Sequence, residues 1–241
     1  MEKRSVRSPS ISDVWQVPRA VWRARRALDR GDLVRSRELV GPLLETYGGV
    51  TFIRKLAAEV LYASADPLSA ASFFERVAKK QPTDRAVAVG LVASYAALDR
   101  AGDARRSAGL LADDVDVRLA LAWAELVAKG GDPARGETLV SALGADAELA
   151  RSRERVGMHH ALAAIVAARH DDLALMRTRL GGADAEFARV QPPDRAFLAY
   201  LCGVALRTSA IDEARAMFTT AIRECPESIG AALARRERAR L

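Results

Sequence analysis

The residues of this chain that could do chemistry are few and far apart. His159 and His160 are adjacent on a predicted helix, so their side chains point about 100 degrees apart and are not placed to share a metal ion. His170 follows His159 by eleven residues, roughly 16 Å along a helix axis. Cys202 and Cys225 lack the paired spacing of a metal site. With no phosphate-binding loop or zinc-protease motif either, we predict no metal, no cofactor and no catalytic activity.

The positive charge of the chain is confined to its ends. The formal net charge is +6. Residues 1–37 hold ten basic and four acidic side chains, segment 235–240 adds +3, and the remainder sums to −3. Nucleic-acid-binding folds usually have a basic stripe across the surface, so nucleic acid is not the expected partner.

Four arginines in the N-terminal region nevertheless form a regular pattern. Arg19, Arg23, Arg26 and Arg30 recur at i, i+4, i+7 and i+11, which places them on one helix face. The interpretation we favour is a solvated outer face of the first helix. The alternative function is that of a nucleic-acid-associated or regulatory helical repeat protein, with this face as its basic surface.

Hydropathy and composition indicate a cytoplasmic protein. The longest uncharged apolar run, residues 86–98, has 13 residues and is too short to cross a bilayer. No apolar core of a signal peptide follows the basic N-terminus, and two unpaired cysteines suit a reducing compartment. Arginine outnumbers lysine 32 to 5 and asparagine is absent, which is typical of a GC-rich bacterial genome.

One apolar pattern occurs twice. Ala70-x3-Phe74-x2-Val77-x4-Pro82 returns as Ala214-x3-Phe218-x2-Ala221-x4-Pro226. Residues at i, i+4 and i+7 lie on one helix face, and the proline stops the helix after its last turn. The two copies predict that a helical unit is repeated.

Aspartates in turns, four of them next to Gly or Pro, mark where second helices begin. They occur at Asp32, Asp66, Asp103, Asp132, Asp171-Asp172 and Asp212. Aspartate at a helix start accepts hydrogen bonds from free backbone N–H groups. The intervals are 34, 37, 29, 39 and 41 residues, counting from Asp171 in the fifth turn. The pairs Asp113-Asp114 and Asp171-Asp172 are therefore interpreted as caps or turns rather than as catalytic carboxylates.

The doubled pattern, the closing proline and the spacing resemble the tetratricopeptide repeat family. This resemblance implies an all-α fold, a right-handed α-solenoid of about six antiparallel helix pairs with a C-terminal capping helix. It covers residues 19–226, is clearest in the units that contain Phe74 and Phe218, and is weakest in the fifth unit, where Gly181-Gly182 predicts a break.

The two terminal segments lie outside the repeats. Residues 1–18 are predicted to be a flexible basic tail with an apolar strap formed by Ile11, Val14, Trp15 and Val17. A docking peptide for another protein is the alternative interpretation of that strap. Residues 227–241 are predicted to form a capping helix, because each repeat leaves an apolar side exposed.

The resemblance also implies where a partner binds, since first helices of such repeats line an inner groove. The implied lining residues are Phe52, Lys55, Glu59, Tyr62, Val89, Ala93, Leu119, Trp123, Leu126 and His159. Trp123 and Tyr62 are the expected anchors, with ordinary packing between repeats as the alternative for Trp123. Because the chain has no asparagine, the family's lysine–asparagine clamp for a C-terminal carboxylate is not expected.

The expected function is therefore that of a non-catalytic scaffold or adaptor. Its expected partner is another protein, which supplies a peptide or an amphipathic helix. Self-association through the ends of the stack is a further expectation, and membrane insertion is not expected.

Overall fold

The computed structural model describes the backbone of residues 11–241, with side chains from residue 17 onward except that of Leu110. The described part contains thirteen α-helices and no strand, which confirms the predicted all-α class. The helices are α1 (Ile11–Asp29), α2 (Leu33–Tyr47), α3 (Thr51–Ala63), α4 (Pro67–Ala78), α5 (Arg85–Ala97), α6 (Ala101–Ala108), α7 (Val115–Val127), α8 (Pro133–Gly144), α9 (Arg153–Arg169), α10 (Leu173–Phe187), α11 (Pro192–Leu206), α12 (Ile211–Glu224) and α13 (Ile229–Arg238). None of them is long and apolar enough to cross a membrane.

Aspartate caps begin four of the helices that the sequence placed after a turn. Asp32, Asp66, Asp132 and Asp172 each accept a backbone N–H bond of 2.9–3.1 Å from the first turn of the helix that follows. These bonds satisfy donors that the helix itself leaves free. The predicted starts of α2, α4, α8 and α10 are confirmed.

Second helices also begin next to Asp103 and Asp212, but these two aspartates are not caps. Helix α6 begins at Ala101 and α12 at Ile211, so each aspartate lies inside the first turn. Neither helix has a side-chain cap. Both carboxylates instead lie near the positive end of the helix dipole, which also favours aspartate there.

The helices form two layers. Odd-numbered helices from α3 to α11 form the inner layer, and even-numbered helices cover it. In α5, ten of 13 residues are buried, whereas in α10 only two of 15 are. Each helix packs against the next one along the chain, and inner helices also pack against each other, as α5 does with α7 and α9 with α11.

The repeated small–large–small pattern is buried in both copies. Its members are at most 1% exposed: Ala70, Phe74, Val77, Ala214, Phe218 and Ala221. The ring of Phe74 lies against Gly90, and that of Phe218 against Gly203. A Cβ at these glycines would come within 2.3 and 2.5 Å of a ring carbon, so each large side chain needs a glycine opposite it.

The break predicted at Gly181-Gly182 is wrong, because α10 continues through both glycines. Gly182 faces the ring of His160, and a Cβ there would lie 2.8 Å from His160 Nδ1. Close packing of α10 against α9 therefore requires glycine at this position, and the helix tolerates its lower propensity.

Glu125 is a buried carboxylate that joins three helices. It accepts hydrogen bonds from Arg105 of α6 at 2.6 and 2.8 Å and from the Asp132 N–H before α8 at 2.8 Å. Burial opposes its ionisation, but these bonds outweigh burial and hold its pKa below the usual value. The charge is thus compensated where α6, α7 and α8 meet.

Early and late helices of the described chain contact each other. Leu33 of α2 packs in one cluster with Ala196 of α11 and Cys225 after α12. Arg236 of α13 forms an ion pair of 3.0 Å with Asp99, in the turn after α5. Contacts between early and late helices therefore lie beside the inner surface of the helices.

The first helix is longer than expected. It begins at Ile11, eight residues before Arg19, and contains Pro18. Residues 1–10 and the side chains of the predicted strap residues Ile11, Val14 and Trp15 lie outside the described part of the chain. In segment 227–241, α13 packs against α11 and α12.

Candidate functional site

A cavity of about 840 Å³ lies among the inner helices. Residues of α1, α3, α5, α7, α9 and α11 line it, with Phe74 of α4 and Ile229 of α13. The lining residues of α5, α7, α9 and α11 come mainly from the N-terminal halves of these helices. Ligand sites in proteins commonly enclose about 300–1,000 Å³, so this cavity is large enough to hold one.

The wall of the cavity is mainly apolar. It includes Tyr62, Val89, Ala93, Leu119, Met158 and Phe197. Phe197 stays partly exposed, and its ring meets Trp123 edge-on, with ring centroids 4.9 Å apart. Such a wall favours an apolar occupant, because burying apolar surface gains about 25 cal/mol per Å².

Ion pairs between neighbouring helices surround the apolar wall. Four cations each meet a carboxylate: Arg25 with Glu59, Lys55 with Asp84 (2.6 Å), Arg85 with Asp114 (2.9 Å) and Arg155 with Asp116 (2.7 Å). Two of the carboxylates, Asp84 and Asp114, also cap α5 and α7. The helix starts thus bring acidic groups to the cavity, and the cations neutralise them.

The pKa values of two paired carboxylates are shifted in opposite directions. Burial alone would raise the pKa of Asp84, but hydrogen bonds from Lys55 and the Val87 N–H hold it below the usual value. For Glu59 burial prevails over Arg25 and Lys55, and the pKa is raised.

Asp194, in the first turn of α11, differs from the other carboxylates of the lining. Among the described residues it has neither a salt bridge nor a hydrogen-bond partner. Asp194 is exposed to solvent, although the protein on the cavity side removes part of the water around its carboxylate. This desolvation, with a smaller effect of Glu154, raises the pKa of Asp194 to about 6. Burial, Tyr200 and Asp194 raise the pKa of Tyr62, so its phenol stays neutral at ordinary pH.

Seven of the ten residues predicted to line a groove lie around this cavity. They are Lys55, Glu59, Tyr62, Val89, Ala93, Leu119 and Trp123. Lys55 and Glu59 are engaged in the ion pairs. Trp123 is only 1% exposed and packs against Phe197, so its role in the structure is the packing that the sequence left as the alternative.

The other three residues lie elsewhere. Phe52, at the start of α3, is 53% exposed on the outside of the cavity. Leu126 packs against Gly136 of α8, where a Cβ would lie 2.7 Å from Leu126 Cγ. His159 is buried, with Nε2 3.1 Å from the Val140 carbonyl oxygen.

Sequence reasoning did not identify Asp194, Phe197 and Arg155 as lining residues. Pro192-Pro193 forms the first turn of α11. Proline at a helix start followed by an acidic residue is the signal that could have placed Asp194 at the N-terminus of an inner helix.

A second cavity of about 470 Å³ contains His159 and His170. His170 Nε2 lies 3.1 Å from Glu137 Oε2. Burial lowers the pKa values of His159 and His160, which favours their neutral forms. Within the described part of the chain no three His, Cys, Asp or Glu side chains are arranged to hold a metal ion.

The arginine face lies on the outside of α1. Arg19, Arg23, Arg26 and Arg30 are all exposed, and no salt bridge joins them to a described residue. Trp22 lies on the same face, is 57% exposed, and has the Arg26 guanidinium 4.8 Å from its ring centroid.

Comparison with known proteins gives no relative: no family model matches the chain, and neither a curated protein nor a solved structure matches it significantly.

Proposed function

We propose that this protein is a non-catalytic scaffold or adaptor of the tetratricopeptide type, which binds an apolar segment of a partner protein in its central cavity. In this proposal the helices form a right-handed solenoid of six antiparallel pairs, with α13 as the cap. The supporting observation is the cavity itself, whose lining includes most of the residues that the resemblance assigned to a groove.

The size of the cavity limits the occupant. A helix with its side chains is about 10–12 Å wide, so about 840 Å³ holds roughly 7–11 Å of it, or two turns at most. The part of the ligand that is buried in the cavity is therefore expected to be about five to seven residues long.

The chemistry of the lining supports binding rather than catalysis. No histidine, cysteine, serine or threonine is among the described lining residues. The four cations are already bound by carboxylates. Such a wall offers burial of apolar groups and no activated nucleophile.

Ala86 is the best position for testing the proposal. It lines the cavity in the first turn of α5 and is exposed, so Ala86→Trp fills the cavity without disturbing the core. Ala134 is the matched control, because it also lies two residues after a capping aspartate and is exposed, but on α8. Wild type and both variants serve as baits in the source cell, with mass spectrometry of the captured proteins.

A partner bound in the cavity is captured by wild type and Ala134→Trp and lost with Ala86→Trp. Calorimetry with a synthetic segment of that partner then reproduces the same order of affinities. Equal capture by all three baits, with all three folded by circular dichroism, contradicts the proposal.

The exposed arginine face supports a second candidate function, binding of single-stranded nucleic acid. Unpaired arginines beside an accessible tryptophan combine phosphate contacts with a surface on which bases stack. Replacing Arg19, Arg23 and Arg26 by glutamate removes these contacts, whereas Arg106→Glu, Arg151→Glu and Arg223→Glu make the same charge change elsewhere. Fluorescence polarisation should show that wild type binds an oligonucleotide with an affinity that falls steeply as salt is added. Binding should be lost only in the first triple variant. Salt-independent binding, or none, contradicts this candidate.

A further inference from the structure

The charges around the cavity do not cancel. Its lining contains four cations and five carboxylates. All four cations are paired, as described above, and Arg85 and Arg155 share Asp116. The two carboxylates without a cation in the described part of the chain are Glu154 and Asp194.

These two carboxylates lie on neighbouring inner helices. Glu154 is in the first turn of α9, where it accepts a hydrogen bond from the Ser152 hydroxyl. Asp194 is in the first turn of α11, with Phe197 one turn further along the same helix. Tyr62 of α3 also faces Asp194 and is neutral. The negative charge is thus next to the apolar wall.

Asp194 and Glu154 are exposed to solvent, so each keeps part of its hydration, but neither has a counter-ion among the described residues. The raised pKa of Asp194 shows that the protein around it and Glu154 disfavour its charged form. A cation bound beside Asp194 would favour that form. The paired cations of the lining are not available for it, since each is bound in its own ion pair.

We infer that the segment bound in the cavity is cationic as well as apolar, and that it presents a Lys or Arg side chain to Asp194 while its apolar side chains contact Tyr62, Met158 and Phe197. This inference rests on the proposed function and specifies its ligand. It distinguishes the site from a clamp for a carboxylate, because here the protein supplies the negative charge. Glu154 contributes to the attraction from the side of α9.

The test uses the full-length protein and a phage-displayed library of random seven-residue peptides, depleted on Ala86→Trp before selection on wild type. We expect the selected peptides to combine one Lys or Arg with apolar residues. Their affinities are then measured by fluorescence polarisation for wild type, Asp194→Asn and the control Asp113→Asn, which changes an exposed aspartate outside the lining. Each peptide is also made with norleucine in place of its basic residue.

Loss of the ion pair should weaken binding about two- to fivefold, because Asp194 is exposed, in Asp194→Asn and with the norleucine peptide alike, and the two changes together should cost little more than either. Asp113→Asn should bind as wild type does. Selected peptides without a basic residue, or peptides that bind Asp194→Asn equally well, overturn the inference but leave the proposed function intact. Failure to select any peptide that Ala86→Trp excludes contradicts the proposed function itself.

The pH dependence gives an independent readout. With a pKa of about 6, Asp194 is roughly one-tenth ionised at pH 5 and nine-tenths at pH 7. Affinity for the basic peptide should rise about threefold over this interval in wild type and clearly less in Asp194→Asn, where Glu59, whose pKa is also raised, is the remaining lining carboxylate of this kind. Glu154→Gln should move the midpoint to lower pH, because Glu154 contributes to the raised pKa. An unchanged affinity in wild type contradicts the contact with Asp194.

Discussion

Single glycines decide how closely the helices approach each other. Gly90 accommodates the ring of Phe74 next to the cavity wall, and Gly203 does the same for Phe218. At both places the backbone of one helix touches the ring of another. Glycine lowers helix propensity, so its presence at these buried contacts is explained by packing.

We predict that Gly90→Ala destabilises the protein by about 1–3 kcal/mol, because the new methyl group would lie 2.3 Å from Phe74 Cζ and force the ring to move. Gly181→Ala is the matched control in a helix. Nothing lies within 4 Å of a Cβ there, so this change should stabilise by roughly 0.5–1 kcal/mol. Urea unfolding gives both free energies, and equal effects of the two substitutions would contradict the tight Phe74–Gly90 contact.

Helices of this protein are delimited by two kinds of aspartate that look alike in the sequence. Asp66 caps α4 from outside, whereas Asp212 lies inside the first turn of α12 and is almost fully exposed. Only the first satisfies a backbone donor through its side chain.

Asp66→Ala should therefore cost about 1 kcal/mol of stability, the usual value of a helix cap. Asp212→Ala should cost clearly less, since water solvates its carboxylate and no cap is lost. Thermal unfolding of both variants at one pH checks this order. The reverse order would mean that α12 is the helix that depends on its aspartate.

Local features of the sequence predicted most elements but not all. The cap aspartates and the buried positions around Phe74 and Phe218 depend on neighbours within one helix or one turn, so their spacing is informative. Continuity of α10 through Gly181-Gly182 depends on His160 of another helix, which no local pattern encodes. The first residue of α12 also lacks a local signal in the sequence, because no side chain caps this helix.

The site was predictable only in part, for a reason that concerns the whole molecule. Lining residues on α3, α5 and α7 are among the positions that the resemblance implies in consecutive units. Asp194 and Phe197 join them because α11 approaches the early helices, where Leu33 meets Ala196 and Cys225. A resemblance to open solenoids does not predict such a contact between early and late helices.

The contact between early and late helices should be measurable in solution. In an open solenoid each repeat contacts only the repeats next to it along the chain. A change in α2 would therefore not affect α11. Here Leu33→Ala removes side-chain atoms at the shared cluster, at a cost of about 2–5 kcal/mol. We predict that amides in α11 near Ala196 and around Cys225 lose hydrogen-exchange protection together with those of α2.

Val40→Ala separates this effect from general loosening of α2. Val40 is buried in the same helix but packs with Leu56, Ala57 and Val60 of α3, away from α11. Hydrogen-exchange mass spectrometry of this variant should therefore show lower protection in α2 and α3 with α11 unchanged. If Leu33→Ala gave that same pattern, α2 and α11 would be separated in solution. The cavity would then be a wider groove and could bury a segment longer than about five to seven residues.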